Sequence, residues 1–222
     1  VKENGFKFAP SEENKYKWLK DMKIDTVIDV GGHKGETVLK FHEILPQALI
    51  YSFEPLRDCY EHLAAISKKI PNAKAFNIAL GDKKGKVNIY RSEYDASSSI
   101  LKMGALHKEA FPFSSGERLE LIEVDTLDEA MRDLKLGDHI LLKIDVQGYE
   151  LKVIAGAKSM IGRLKVIIVE TSFYELYEEG PLFANIYDTL FKNGFAYSGC
   201  WSHLNSPLDG KPIQQDCIFL RE

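Results

Sequence analysis

Cysteine is scarce in this chain. Cys59, Cys200 and Cys217 are its only three, and no two stand in a C-x-x-C spacing. An odd set without that spacing argues against a disulfide framework or a zinc ribbon and suits free thiols in a reducing compartment. Long apolar runs are missing too. None approaches the roughly 18 residues of a membrane-spanning helix, and the N-terminus has no signal-peptide apolar region, so the expectation is a cytoplasmic chain with no membrane span. Val1 in place of an initiator Met leaves an upstream segment open. A basic stripe is also absent: 29 Lys and Arg against 33 Asp and Glu leave a net charge of −4. Binders that work by neutralising phosphates carry the opposite balance, so no nucleic-acid partner is expected. There is no Pro/Gly/Ser-rich linker and no repeat with a period of 20 to 50 residues. The expected organisation is a helical segment over 1–24 followed by one globular domain over 25–222.

What is present is an alternation. Short apolar runs at 26–30 (TVIDV), 48–54 (ALIYSFE), 73–80 (AKAFNIAL), 139–146 (HILLKIDV) and 164–171 (LKVIIVET) read as strands. Helical patterns separate them at 36–45, 57–70, 127–134 and 149–161, and another follows at 183–194. Such alternation predicts an α/β fold with a parallel sheet covered on both faces. Two last strands, 195–200 and 216–221, are joined without a helical pattern, so the final strand is expected to run antiparallel. Residues 81–93 read as a turn and an extra strand, and 94–117 as a long, weakly periodic loop of the kind that carries function. Strand polarity gathers Gly31–Gly35, Glu54, Leu80–Asp82, Asp145–Gly148, Glu170–Tyr177 and Trp201–Asn205 at one sheet edge, where open α/β sheets bind ligands.

The turn DVGGHKGE, Asp29 to Glu36, is glycine-rich but is not a dinucleotide fingerprint. Counting from Gly31, the G-x-G-x-x-G positions hold Gly31, His33 and Glu36, and an acid stands where a pyrophosphate would meet the helix. No P-loop occurs either. Glu54 ends the second strand about 20 residues on, placed to accept hydrogen bonds from both hydroxyls of a ribose. Ribose without pyrophosphate points to S-adenosylmethionine, whose sulfonium suits an acidic crevice.

The blocks VIDVGGHKGE, YSFEP, NIALGD, SSSIL and LLKIDVQGYELKVIAGA occur in that order, and together they resemble the FkbM family of S-adenosylmethionine-dependent methyltransferases. The likeness spans roughly residues 26–170; KIDVQGYELKVIAGA is its most specific piece. Where the family usually reads D-V-G-A-N-x-G, this chain has Gly32 and His33. The resemblance implies a three-layer, Rossmann-like fold with a mostly parallel seven-stranded sheet, and methylation of a hydroxyl on a sugar, glycan or secondary metabolite. It also implies a cofactor-binding set of Asp29, Gly31, Gly32, His33, Gly35, Glu54, Pro55, Asn77, Ala79, Ser98 and Asp145.

Residue chemistry adds candidates and their plainer alternatives. Asp29 is a charge within an apolar strand; its partner is either its own turn or the cofactor. Lys143 and Asp145, two apart on a strand, share one face, and burying either unpaired would cost several kcal/mol on an order-of-magnitude scale. They either pair structurally or emerge beside the methyl donor. Asp145 is the first candidate for the base that removes the acceptor proton, with Glu170, His33 and His203 as alternates. Lys143 completes the catalytic set. Glu150 is expected to complement a helix dipole. Ser97, Ser98 and Ser99 either cap a helix starting near Ile100 or close the pocket. Phe173, Tyr174, Tyr177 and Trp201 lie on the crevice side and suit stacking against a sugar or ring, while helix packing explains Tyr174 and Tyr177 equally well. No metal is expected, because neither an acidic triad nor paired Cys/His spacing marks a site. Two alternatives of other classes are an NAD-type oxidoreductase and a catalytically silent cofactor-binding module.

Overall fold

The structure is a computed structural model and describes residues 15–221. Residues 1–14 of the expected N-terminal helical segment lie outside the described residues; inside them the helix is α1 (Lys17–Asp21). The chain continues through β1 (Thr26–Val30), α2 (Glu36–Ile44), β2 (Leu49–Phe53), α3 (Arg57–Ser67), β3 (Ala73–Phe76), β4 (Ala79–Leu80) and β5 (Gly85–Ser92). Next come α4 (Ala105–Ala110), β6 (Glu117–Asp125), α5 (Leu127–Met131), β7 (Ile140–Ile144), α6 (Glu150–Ala155), β8 (Leu164–Ser172), α7 (Phe183–Lys192), β9 (Phe195–Asn205) and β10 (Pro212–Arg221).

Seven strands form the main sheet in the order β3-β2-β1-β7-β8-β10-β9. The first five are parallel, and β10 runs antiparallel to both β8 and β9. Alternation along the central strands builds three layers. Ile28, Val30, Leu142, Ile144, Ile167 and Val169 point into one core with α5, α6 and α7. Val27, Leu141, Val166 and Ile168 point into a second core with α1, α2 and α3. Both faces are therefore apolar, which is why these strands read as continuous hydrophobic runs. Among the described residues no helix is long and apolar enough to cross a membrane.

Three expectations need correction. The run 73–80 is not one strand: it breaks at Asn77 and Ile78, and β4 leaves the main sheet to pair with β6 in a three-stranded sheet ordered β4-β6-β5. The loop expected over 94–117 contains helix α4 and two short 3-10 turns, and it runs into β6, a strand whose half-exposed outer face dilutes its apolar signal. Trp201 leaves the crevice. It stacks on Phe41 and Tyr16 at centroid distances of 6.0 and 5.0 Å, with the Lys40 ammonium above its ring.

Candidate active site

The chain winds outward from β1 through β2 to β3, then crosses back to β7 and out through β8. Strand order thus reverses between β1 and β7, and a crevice opens at their carboxyl ends. Gly31 leaves β1 and Asp145 leaves β7 at that point. The two backbones touch: a Cβ on Gly31 would stand 1.8 Å from the Asp145 carbonyl oxygen, and Gly31 has φ +91°. Neither the contact nor the dihedral is open to a larger residue.

Gly32 has a different duty. Its missing Cβ would fall 2.1 Å from Ser52 Oγ and 3.2 Å from Asp29 Oδ2. The gap lets the Ser52 hydroxyl donate to Asp29 at 2.6 Å beneath the turn. Asp29 is fully enclosed in β1, its Oδ1 has no partner among the described residues, and burial pushes its carboxyl up to about 6.

Glu54 follows β2 and points back under the same turn. Its Oε2 accepts the His33 N–H at 2.9 Å and its Oε1 the Leu56 N–H at 2.8 Å. Burial pushes the carboxyl up to about 7 against these two donors. Asn77 stands behind it, donating to the carbonyls of Glu54 and Pro55 at 2.9 and 2.8 Å.

Beyond Asp145 lies a dense carboxylate cluster. Lys143 is buried and donates to Asp145 Oδ2 at 3.2 Å and Asp216 Oδ1 at 2.8 Å. Burial pulls its ammonium down, but these two carboxylates outweigh that and hold it charged. Burial would raise Asp216, yet Lys143 keeps it below the usual carboxylate range. Gln147 Nε2 donates to both Asp145 Oδ1 and Glu170 Oε2, each at 2.8 Å, and its Oε1 accepts from the Tyr177 hydroxyl at 2.8 Å. Burial, with the charges of Asp145 and Glu150, raises Glu170 well above its ordinary value and favours its protonated form.

These groups surround a cavity of about 500 Å³, within the usual size range for small-molecule sites. Gly31, His33, Glu54, Pro55, Ala79, Ser98, Asp145 and Glu170 line it. Asp29, Gly32, Gly35, Asn77 and Lys143 stand behind the wall; Gly35, at φ +100°, starts α2 and faces Ile66. His203 lies outside the lining as well. One corner brings His33, Cys59 and Asp95 within 4.8 Å of each other. There Asp95 already holds Lys34 and Arg91, each at 3.0 Å, and burial pushes the Cys59 thiol up to about 12.

A family model for the methyltransferase FkbM domain matches residues 29–197. The chain belongs to the FkbM family of S-adenosylmethionine-dependent methyltransferases. That membership sets the NAD-type oxidoreductase aside. A curated relative is the 2-O-methyltransferase NoeI of Sinorhizobium fredii (strain NBRC 101917 / NGR234), 27% identical over 163 residues, covering 68% of this chain and 65% of that protein. The match therefore spans just under two thirds of that relative. Among solved structures, TehB from Haemophilus influenzae superposes with a TM-score of 0.51 at 9% identity, covering 96% of this chain and 63% of that one. At such identity the likeness is one of fold.

Two cavity-lining residues of this FkbM chain, Gln147 and His107, were not among the residues singled out in the sequence. Gln147 adopts φ +55° in the DVQG turn and joins both carboxylates; only that motif signalled it. Glu150 stands in the first turn of α6, as expected for a residue that complements the helix dipole. Its buried Oε1 also accepts the N–H groups of Val146 and Gly148 at 3.3 and 2.9 Å, shaping the turn that carries Asp145 and Gln147. His107, inside the segment read as a loop, lines the cavity. Of the two readings of the serines, the pocket one fits: no helix starts at Ile100, and Ser97, Ser98 and Ser99 line the cavity. Ser99 Oγ donates to the Gln147 carbonyl at 2.6 Å, and Ser98 Oγ accepts the Ser92 N–H. Of the two readings of Tyr177, packing holds, for the ring is buried.

Proposed function

We propose that this methyltransferase transfers a methyl group from S-adenosylmethionine to a hydroxyl of an uncharged acceptor, a sugar or glycan first. The observation that carries this reading is the make-up of the cavity wall. Glu36, Glu54, Asp95, Asp145 and Glu170 line it, and among the described residues no Lys or Arg does. A phosphorylated or carboxylated acceptor would meet carboxyl groups and no cation in that lining, whereas hydroxyl donors find acceptors there. The relative NoeI, a 2-O-methyltransferase by name, supports oxygen as the methylated atom.

The residues fit the cofactor. Each Glu54 oxygen accepts one backbone N–H, which leaves lone pairs for two ribose hydroxyls, and such donors would favour the ionised form. Pro55, Ala79 and Ser98 wall the adenosine end, where Leu56, Ile89 and Ile100 add apolar surface. The turn Gly31, Gly32, His33 and Gly35, with Asp29 beneath it, faces the amino-acid end, and Asn77 keeps Glu54 in place. The bound cofactor supplies an electrophilic methyl on a cationic sulfur, which the wall carboxylates suit.

Asp145 is the base: its carboxylate would accept the acceptor's hydroxyl proton as the acceptor oxygen bonds to the methyl carbon, the methyl–sulfur bond breaks and S-adenosylhomocysteine leaves. Lys143 and Gln147 fix its two oxygens, and Glu170 completes the binding surface across the Gln147 bridge. A positioned base contributes on the order of 10²–10⁴ in rate. The test is calorimetric titration with S-adenosylhomocysteine, followed by transfer of labelled methyl to a panel of methyl glycosides with mass analysis of the products. An O-methyl ether supports the reading. Transfer only to a nitrogen or to an anionic substrate overturns it, and cofactor binding without transfer to any glycan or metabolite hydroxyl would leave the silent module.

A further inference from the structure

His107 sits on α4 in the cavity wall, and only 3% of its surface is exposed. Neither ring nitrogen has a hydrogen-bond partner among the described residues. The ring is held edge-on by Phe111 and Tyr177, at centroid distances of 5.3 and 5.2 Å. Its element is not loose. The Gly104 N–H, just before α4, donates to the Leu176 carbonyl at 2.8 Å; the Met103 N–H donates to Glu117, which also pairs with Lys108. A buried polar group left unpaired is destabilising, and native structures leave few of them. An imidazole fixed in that condition beside a cavity calls for a partner that arrives with the ligand.

The contacts of the ring place it at the acceptor end. Its neighbour Tyr177 donates to Gln147, and Gln147 bridges Asp145 and Glu170. The ring also meets Phe111, which leads to Phe113 and Tyr94, an edge-to-face pair 5.5 Å apart. Those two line the cavity yet are 62% and 53% exposed, an aromatic lip open to solvent. Burial lowers the imidazole to about 4, so near neutral pH it offers one donor and one acceptor and no charge. An aromatic lip, an uncharged donor–acceptor and a carboxylate pair match a neutral sugar ring, which shows apolar C–H faces and hydroxyl edges together.

We propose that His107 is an acceptor-binding residue that hydrogen-bonds a hydroxyl of a neutral glycosyl ring resting against Tyr94 and Phe113. The proposal rests on the methyl-transfer reading and goes beyond it by naming the residue that selects the acceptor class.

The test uses histidine-labelled full-length protein saturated with S-adenosylhomocysteine, and methyl glycosides of glucose, galactose, mannose and N-acetylglucosamine as probes. The His107 ring resonances, assigned by their loss in His107→Gln, should move on adding at least one glycoside, while those of His62 and His139 stay in place. His107→Phe should raise KM for that glycoside about tenfold and leave S-adenosylhomocysteine affinity unchanged, with His107→Gln recovering part of the loss. Because the Phe variant removes an unpaired polar ring, its ligand-free melting temperature should not fall. Binding of S-adenosylhomocysteine with no glycoside effect on His107 would overturn the proposal and leave methyl transfer standing. A full shift caused by S-adenosylhomocysteine alone would overturn it too, since the ring would then belong to the cofactor site. Absence of any S-adenosylhomocysteine binding would remove both.

Discussion

Gly31 and Asp145 meet backbone to backbone at the point where the sheet reverses direction, with 1.8 Å between the Asp145 carbonyl oxygen and the position a Gly31 Cβ would take. The glycine turn and the proposed base are thereby locked to each other. Gly31→Ala should separate β1 from β7 at this edge, lower the melting temperature and abolish S-adenosylhomocysteine binding by calorimetry. Gly162→Ala is the control: among the described residues nothing lies within 4 Å of its would-be Cβ, so stability should stay within about 0.5 kcal/mol. Wild-type binding in Gly31→Ala would refute the turn's part in the site.

Asp145 and Glu170 share Gln147 but differ in their other partners, so their substitutions should differ. Asp145→Asn is expected to lower kcat by about 10²-fold or more with S-adenosylhomocysteine affinity little changed. Glu170→Gln keeps the size of a group that already favours its neutral form and should cost far less in kcat. The reverse ranking in steady-state kinetics would make Glu170 the base.

Lys143 lies under both Asp145 and Asp216 with its side chain 8% exposed. Lys143→Met strands two carboxylates at once and should destabilise the fold by about 3–5 kcal/mol in urea melts. Adding Asp216→Asn should restore part of that loss, because one unpaired charge is then removed. No recovery in the double variant would show that the pair is not coupled.

Glu150 carries a pH signature. Its carboxyl is raised from the usual 4.5 to about 7 by burial, so between those values the folded state binds a proton that the unfolded state has released. Stability from this group is full below the lower value and is lost as pH rises through the upper one. Glu150→Gln keeps a carbonyl for the Val146 and Gly148 N–H groups and removes the titration. Its melting temperature relative to wild type should therefore climb between about pH 5 and pH 8. A difference that stays flat across that window would assign the pH dependence to other groups, Asp29 and Glu54 among them.

Local pattern determined much of this molecule before any folding. Two-sided apolar runs such as TVIDV and LKVIIVET declared buried parallel strands, the helix-free link between the last two declared an antiparallel return, and DVGGHKGE with Glu54 and KIDVQGYELKVIAGA declared the family and its cofactor. Those signals survive because periodicity and motif spacing live within a few residues of chain. The tertiary structure decided what depends on distant partners. It sent Trp201 to the far face against Phe41, turned Glu150 into a support for the Asp145 turn, and joined Asp145 to Glu170 through Gln147. It also buried His107 beside Tyr177, 70 positions along the chain, inside a segment whose own pattern promised only a loop. Side-chain direction and burial are set by packing across such separations, and no local spacing records them.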